Sequence, residues 1–245
     1  MKQKCNILIP MAGRGSRFEE QGYTDKKPFI DVNGKPMIHR VIKNLGMEFT
    51  TDYKFIMICL QEDYDKYDFS EFDKVIGHNS YDVVILDDVT EGAAQTVLTA
   101  KHLINDDTPL MTMNSDQLVD WDVDKMFEIA EHYDALIPCF YGEGNAWSYA
   151  RTLDNGYVQE VAEKKQISNN ATAGYYYWKK GSDFVKYAEQ MIEQNSRTNG
   201  EFYVAPVYNW AIRDGKKIVI SQVDKVYELG TPEYLERYLN DINIT

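Results

Sequence analysis

The chain has 245 residues, of which 44% are hydrophobic and 27% are charged, and its formal net charge is −13 at pH 7. This length accommodates one large α/β domain. The acidic balance argues against nucleic acid as a partner, and no apolar run approaches the length of a membrane span. No signal peptide follows Met1, and the three cysteines lack metal-ligand spacing, so we predict a cytoplasmic protein without membrane contact.

Apolar segments alternate with helical patterns over the first half of the chain, which indicates a parallel sheet with crossover helices. The predicted strands are at about 6–11, 54–60, 82–86, 109–113 and 134–141. The predicted helices are at about 37–45, 63–76, 93–104 and 122–132. Asp122 is a plausible N-cap, and the neighbouring Asp120 and Asp124 also resemble residues at a helix start.

The second half of the chain is richer in β patterns. Strands are predicted at about 149–153, 158–163 and 172–178, with Asn155-Gly156 as a hairpin turn. We interpret these strands as an antiparallel excursion beside the parallel core. Helices at about 182–194 and 204–214, strands at 217–222 and 226–229, and a helix from Pro232 to about 241 complete the prediction.

A loop of small and basic residues follows the first strand. It reads Met11-Ala12-Gly13-Arg14-Gly15-Ser16-Arg17, and Lys27 comes ten residues after it. Glycines allow close approach of the backbone to a ligand, successive N–H groups form anion sites, and arginines suit phosphate. The loop is neither a P-loop nor a Rossmann fingerprint. It therefore predicts a polyphosphate site, with a solvated glycine turn as the alternative.

Two acidic residues are candidate ligands for a metal ion. Asp116 comes just after an apolar strand, where ligands bind in open α/β sheets, and Glu228 ends a late strand before Gly230. Mg²⁺ needs few protein ligands when a triphosphate supplies the others. An N-cap or turn role for Asp116 and an ordinary surface role for Glu228 are the alternatives.

Several motifs, taken in order, resemble the sugar-phosphate nucleotidyltransferases of the glucose-1-phosphate thymidylyltransferase type. The family also has short single-domain members such as phosphocholine cytidylyltransferase-like enzymes. The motifs are the Gly-Arg-Gly-Ser-Arg loop, Gly34-Lys35-Pro36-Met37-Ile38, Glu91-Gly92-Ala93-Ala94-Gln95, Glu163-Lys164, Ala173-Gly174-Tyr175, Gly200-Glu201 and Glu228-Leu229-Gly230-Thr231. The sequence departs from the family pattern at Arg14, Ser16, Lys165 and Glu228, where the family has a small residue, Thr, Pro and Asp.

The resemblance implies a Rossmann-like, GT-A-type nucleotidyltransferase fold with a mixed, mostly parallel central sheet, helices on both faces and a small antiparallel excursion. Residues 1–245 would form one domain, with a nucleotide-binding part at about 1–135 and an acceptor-binding part at about 136–245. The implied nucleotide-binding residues are Met11, Ala12, Gly13, Arg14, Gly15, Ser16, Arg17, Lys27, Gly92, Gln95 and Ser115. The implied acceptor-binding residues are Glu163, Lys164, Gly174 and Glu201, and the implied magnesium ligands are Asp116 and Glu228.

The reaction implied by this family is transfer of a nucleoside monophosphate from a nucleoside triphosphate to a phosphorylated small molecule, with release of pyrophosphate. Arg17 would hold the triphosphate, Lys27 the α-phosphate and Lys164 the acceptor phosphate. Products of this kind supply surface polysaccharides and related conjugates. A GT-A glycosyltransferase and a non-catalytic nucleotide-binding module are the alternatives, and the nucleobase, the acceptor and a homo-oligomeric state stay open.

Overall fold

The structure is a computed structural model that describes residues 5–46, 53–77 and 80–243. Its strands are β1 (Cys5–Pro10), β2 (Tyr53–Leu60), β3 (Ser80–Leu86), β4 (Leu110–Met113), β5 (Gln117–Asp120), β6 (Ala135–Tyr141), β7 (Ser148–Thr152), β8 (Val158–Glu163), β9 (Asn170–Thr172), β10 (Tyr175–Trp178), β11 (Ile218–Gln222) and β12 (Lys225–Glu228). The main sheet has the order β3-β2-β1-β4-β10-β6-β9-β7-β8, and β11 pairs with β6. Strands β5 and β12 form a separate antiparallel pair.

Helices connect and cover the strands. They are α1 (Ser16–Glu19), α2 (Met37–Asn44), α3 (Gln61–Lys66), α4 (Asp73–Ile76), α5 (Ala93–Thr99), α6 (Lys101–Ile104), α7 (Val123–Ala130), α8 (Gly181–Glu193), α9 (Tyr208–Arg213) and α10 (Pro232–Asn243). Short 3-10 turns are present at Lys27–Phe29, Phe69–Phe72 and Ala205–Val207. Within the described ranges, no helix is both long and apolar enough to cross a membrane.

The central strands are buried on both faces. Alternate residues of β1 point to opposite sides, so Ile7 and Ile9 join one apolar cluster and Leu8 joins the other. Helices α2, α4 and α7 contribute to the first cluster, and α5, α8 and α9 contribute to the second. Burial on both faces explains why β2 reads as a continuous apolar run.

The antiparallel part is built into the main sheet. Strand β10 lies between β4 and β6 and is antiparallel to both. The predicted hairpin is present, with Gly156 donating to the carbonyl of Leu153 at 2.9 Å and adopting a φ of 84°. The predicted single strand at 172–178 is divided into β9 and β10, because Gly174 has a φ of 77° that a continuing strand does not allow.

One strand was not predicted from the sequence. Asp120 ends β5, so its interpretation as a helix-start residue is wrong, whereas Asp122 accepts a hydrogen bond from the backbone N–H of Lys125 at 3.0 Å and is the predicted N-cap. The side chain of Asn44 exchanges hydrogen bonds with the backbone of Val119, at 2.9 and 2.6 Å. These contacts attach β5 to the end of α2. Because the two segments are far apart in the sequence, no local pattern predicts this interaction.

Three predicted helices are shorter or broken in the structure. The segment 63–76 contains α3, a 3-10 turn and α4, because Asp68 caps the turn by accepting from the N–H of Ser70. The segment 93–104 is divided at Ala100, whose ψ of 15° is not helical. The segment 204–214 begins with a 3-10 turn that contains Pro206, since proline lacks the N–H of a regular helix.

Candidate active site

An open cleft of about 590 Å³ lies at the carboxyl ends of the central strands. Pro10, the last residue of β1, and Asn114, which follows β4, both line it. This is the edge where open α/β sheets bind ligands. The predicted site residues that line the cleft are Arg17, Lys27, Ser115, Asp116, Glu163, Lys164, Gly174 and Glu228.

The lining of the cleft contains a lysine–aspartate pair. Nζ of Lys27 donates to Oδ2 of Asp116 at 2.8 Å. Their side chains are 28% and 13% exposed, so solvent screens this pair only in part. Burial lowers the pKa of Lys27, but the charge of Asp116 and their hydrogen bond more than offset this effect and leave the pKa raised. Lys27 is therefore a fixed positive charge in the cleft.

The second carboxylate is held beside the first. Glu228 accepts from Nε2 of Gln117 at 2.7 Å and from the N–H of Gly230 at 3.2 Å. A Cβ at residue 230 would lie 2.4 Å from Oε1 of Glu228 and 2.6 Å from Oδ2 of Asp116. Glycine therefore leaves the space between the two carboxylates open.

Asp116 and Glu228 lie close together, in surroundings that disfavour the negative charge of Glu228. Burial first, and then the charge of Asp116, raises the pKa of Glu228 to about 7, while Gln117 and Lys27 act in the opposite direction. Their oxygens are hard ligands of the kind that Mg²⁺ prefers. Across the described ranges there is no group of three or more His, Cys, Asp or Glu side chains placed to hold a metal. The donor set thus fits a cation that takes its other ligands from phosphates and water.

The lining of the cleft also contains Glu163 and Lys164. Nζ of Lys164 donates to the hydroxyl of Tyr203 at 2.6 Å and lies 4.8 Å from the centre of its ring. Lys164 has a φ of 52°, a left-handed backbone conformation that is uncommon for a lysine and is found more often at functional sites. Ser148 donates to Glu163, and burial raises the pKa of Glu163.

Gly174 permits a close approach in the middle of the cleft. A Cβ there would lie 1.5 Å from Oε1 of Gln117 and 2.8 Å from Nδ2 of Asn114. Asn114 donates to that same Oε1 of Gln117 at 3.0 Å, while Gln117 donates to Glu228. Gly174 therefore acts by leaving room for the amide chain that orients Glu228.

Gly92 packs directly against the backbone of Phe202. Its φ is 136°, and a Cβ would lie 2.5 Å from both the N and the O of Phe202. Those atoms are already bonded, since Phe202 donates to the carbonyl of Glu91 at 2.9 Å and accepts from the N–H of Ala94 at 2.9 Å. This contact joins the segment before α5 to the segment that carries Tyr203.

Replacement of Gly92 by alanine is expected to lower the free energy of unfolding by about 3 kcal/mol, because backbone atoms cannot move away from the new methyl group. The measurement is urea unfolding of the variant. Gly13→Ala is the matched control, since a Cβ at Gly13 meets nothing within 4 Å and its φ is not positive. Equal unfolding midpoints for the two variants would contradict the close packing at Gly92.

The other predicted nucleotide-binding residues lie away from the cleft lining. Met11 and Ala12 are buried, whereas Gly13 and Ser16 are exposed. Gly15 has a φ of 68°, and a Cβ there would contact Lys27. Arg14 lies 3.5 Å from Asp88 in a neighbouring pocket, so the structure does not bring it together with Arg17. Gln95 accepts from the N–H of Glu91 at 2.8 Å. Glu201, a predicted acceptor-binding residue, is exposed and also outside the cleft lining.

Sequence reasoning missed the residues that orient the predicted ones. Gln117, Asn114 and Tyr203 hold Glu228 and Lys164 through the contacts described above. Trp147 and Tyr176 also line the cleft. The position of Gln117 directly after Asp116 was a signal that could have found it, whereas Tyr203 stands among many aromatic residues and carries no local signature.

Comparison with known proteins extends these observations. Residues 7–235 match the model of the family described as nucleotidyl transferase. No curated protein sequence matches the chain.

Several solved structures share the fold. A nucleoside-diphosphate-sugar pyrophosphorylase from Vibrio cholerae RC9 has a TM-score of 0.84 at 24% identity, over 96% of this chain and 99% of that chain. A Bacillus anthracis protein assigned as a glucose-1-phosphate thymidylyltransferase has a TM-score of 0.75 at 19% identity, over 97% and 94%. A UDP-glucose pyrophosphorylase complexed with UDP-glucose has a TM-score of 0.76 at 19% identity, over 100% and 99%. These similarities confirm the predicted α/β fold with its mixed central sheet.

Proposed function

The chain belongs to the nucleotidyl transferase family, and we propose that it transfers a nucleoside monophosphate from a nucleoside triphosphate to a phosphorylated small molecule, such as a sugar 1-phosphate. Pyrophosphate is the second product. The observation that carries this proposal is one cleft lined by the Lys27–Asp116 pair, by Glu228 and by Lys164. Two cationic positions in one cleft suit a reaction that joins two phosphates.

The reaction requires two anions to approach each other. A phosphate oxygen of the acceptor attacks the α-phosphorus, the bond from that phosphorus to the bridging oxygen breaks, and the leaving group is pyrophosphate. Lys27 holds the α-phosphate, Lys164 holds the acceptor phosphate, and Arg17 at the cleft edge holds the triphosphate and the leaving group. No covalent step on the protein is needed, because positioning and electrostatic stabilisation supply the rate enhancement.

Asp116 and Glu228 are the residues that would hold a magnesium ion. When bound, Mg²⁺ neutralises charge that develops on the phosphates. The protein's own contribution is to orient the ligands. Gln117 and the N–H of Gly230 fix Glu228, and Lys27 fixes Asp116.

The two rival functions make different demands on the cleft. A GT-A glycosyltransferase would use an Asp-x-Asp motif for its metal, but Asn114 stands at the first position and donates to Gln117. Membership of the nucleotidyl transferase family also favours the present proposal. A module that binds the triphosphate without turnover is distinguished by the assay below.

Release of pyrophosphate tests the proposal directly. Purified protein is incubated with MgCl₂ and one triphosphate at a time, chosen from CTP, dTTP, UTP, ATP and GTP. Each triphosphate is combined with each member of an acceptor panel that includes sugar 1-phosphates and phosphocholine. One combination is expected to release pyrophosphate and form a nucleoside diphosphate conjugate. Triphosphate binding without turnover across the panel would favour the non-catalytic module, and release of nucleoside diphosphate from a sugar nucleotide would favour the glycosyltransferase.

A conjugate of this kind would serve surface polysaccharide or related biosynthesis in the cytoplasm, where the nucleoside triphosphates are made. The combination that releases pyrophosphate in this assay identifies both the acceptor and the nucleobase. A homo-oligomeric state is tested by light scattering of the purified chain.

Lys164→Gln is expected to raise the KM for the acceptor by about tenfold to a hundredfold and to change the KM for the triphosphate little. The reason is loss of a charge-assisted contact with the acceptor phosphate. Steady-state kinetics with each substrate varied in turn provide the measurement. Lys165→Gln is the control, because it removes an adjacent lysine that does not line the cleft. Equal changes in both KM values would place Lys164 elsewhere in the mechanism.

A further inference from the structure

A second pocket of about 520 Å³ lies outside the cleft, between α2, α4, β5 and α10. Basic side chains predominate among the charged residues of its lining, which include Lys35, Arg40, Lys43 and Lys74. Glu71 is the sole acidic residue among the lining residues that the structure describes. On a chain with a net charge of −13, this concentration of positive charge is a local reversal of the overall electrostatics.

Two of these cations are available to a ligand. Lys74 pairs with Glu71 at 2.5 Å, and Arg40 donates to the backbone carbonyls of Val32 and Asn33. Lys35 and Lys43 are exposed and have no ion pair with any residue in the described ranges. The arginine therefore fixes the wall of the pocket, while neither lysine is neutralised by an ion pair within residues 5–46, 53–77 and 80–243.

A buried histidine lines the same pocket. His39 is 8% exposed, and its ring packs edge-on against Phe72 with 5.1 Å between the ring centres. Its ring nitrogens form no hydrogen bond with the part of the chain that the structure describes. The ring nitrogens are not among the fully buried polar atoms of the described residues, so the ring can offer a hydrogen bond to a ligand in the pocket that it lines.

The charges of the nearby lysines affect the pKa of His39. Burial lowers the pKa of His39, Glu71 raises it, and the charges of Lys35, Lys43 and Lys74 lower it further, with a net decrease. The histidine is therefore neutral near pH 7 and offers an N–H donor to a ligand. An anion in the pocket would neutralise the two lysines and accept a hydrogen bond from the ring, while Lys74 offsets the charge of Glu71.

We propose that this pocket is a second binding site for a phosphate-bearing small anion, held by Lys35, Lys43 and the ring of His39. Phosphate accepts several hydrogen bonds at once and matches two ammonium groups and an imidazole N–H. The volume exceeds that needed for a single phosphate group and admits a polyphosphate or a phosphate ester. The inference does not depend on the activity proposed for the cleft.

The pocket and the cleft share structural elements. Leu118 of β5 lines the pocket, and its neighbour Gln117 holds Glu228 in the cleft. Tyr238 of α10 lines the pocket, and Tyr234, one turn earlier, lines the cleft. A probe for the pocket must therefore distinguish local binding from an effect transmitted from the cleft.

Histidine NMR provides such a probe. Inorganic pyrophosphate is titrated into the full chain, and the ring signals of His39 are assigned by their loss in His39→Asn. We expect these signals to shift with saturation in the wild-type protein. In Lys35→Ala/Lys43→Ala, the same shift is expected to need at least about tenfold more pyrophosphate, since two charged donors are lost. Inorganic phosphate and ATP, titrated in parallel, identify whether free phosphate, polyphosphate or a nucleotide is preferred.

Lys125→Ala/Lys217→Ala is the matched control, because it removes two exposed lysines, and the same total charge, at positions outside this pocket. Its titration curve is expected to coincide with that of the wild-type protein. The proposal is overturned if the His39 signals do not shift, or if they shift equally in the Lys35→Ala/Lys43→Ala protein, which would assign the change to the cleft. Thermal unfolding of each variant establishes that the fold is retained.

Discussion

Replacement of Lys27 by alanine is expected to lower turnover by about a thousandfold while the protein stays folded. Nζ of Lys27 is 2.8 Å from Oδ2 of Asp116, and this lysine is the cation placed beside both carboxylates. Removal of one preorganised charge from a catalytic site typically costs two to three orders of magnitude in kcat. The assay is pyrophosphate release at saturating substrates, with circular dichroism and thermal unfolding as checks on folding.

Lys26→Ala is the control for this experiment. Lys26 precedes Lys27 in sequence but pairs with Glu19 at 2.9 Å and Glu62 at 3.2 Å, outside the cleft. Its removal is expected to change turnover by less than about threefold, since exposed pairs of this type contribute little. Near-normal turnover in Lys27→Ala would remove Lys27 from the mechanism, and an equal loss in both variants would point to a general electrostatic effect.

Asp116→Asn is the second substitution with a large expected effect. The amide has nearly the same shape as the carboxylate but lacks its charge, so affinity for a divalent cation is expected to fall by at least about tenfold and turnover by about a hundredfold or more. Binding of Mn²⁺, followed by electron paramagnetic resonance, measures the metal site without any turnover. Pyrophosphate release measures the activity.

Asp120→Asn gives the matched comparison, because it removes an exposed carboxylate at the far end of β5, the strand that begins directly after Asp116. This variant is expected to bind Mn²⁺ and to turn over as the wild-type protein does. If Asp116→Asn binds Mn²⁺ unchanged, Asp116 is not a ligand, whatever happens to the rate. If binding falls but turnover does not, the metal is not needed for the reaction.

The elements that follow from local chemistry were predictable from the sequence. The apolar run of β2, the capping of α7 by Asp122 and the Asn155-Gly156 hairpin each depend on neighbouring residues, and each is present in the structure. The position of β10 between β4 and β6 was not predictable in this way. It depends on tertiary packing, as do β5 and its attachment to Asn44.

The residues of the candidate site that belong to family motifs were predictable, because the motifs occur in the family's order along the chain. Lys27 and Asp116 are 89 residues apart. Their meeting was suggested by the family pattern and by the rule that ligands bind at the carboxyl ends of the strands in open α/β sheets. Partners such as Tyr203 could not be identified, because a tyrosine in an aromatic-rich chain has no distinctive spacing. The pocket beside α2 was not predicted from the sequence either. Lys35, His39 and Lys43 have the spacing of an ordinary polar side of a short amphipathic helix.

The amide of Gln117 has a consequence for how this site can change during evolution. The side chain of Gln117 bridges Asn114 and Glu228 through hydrogen bonds. It packs directly against the backbone of Gly174. Substitution of Glu228 by the shorter aspartate would therefore leave the amide of Gln117 without this acceptor, and a change at either position favours a compensating change at the other. Among descendants of this sequence, residues 117 and 228 are expected to covary, so the single mutants are less fit than the double mutant.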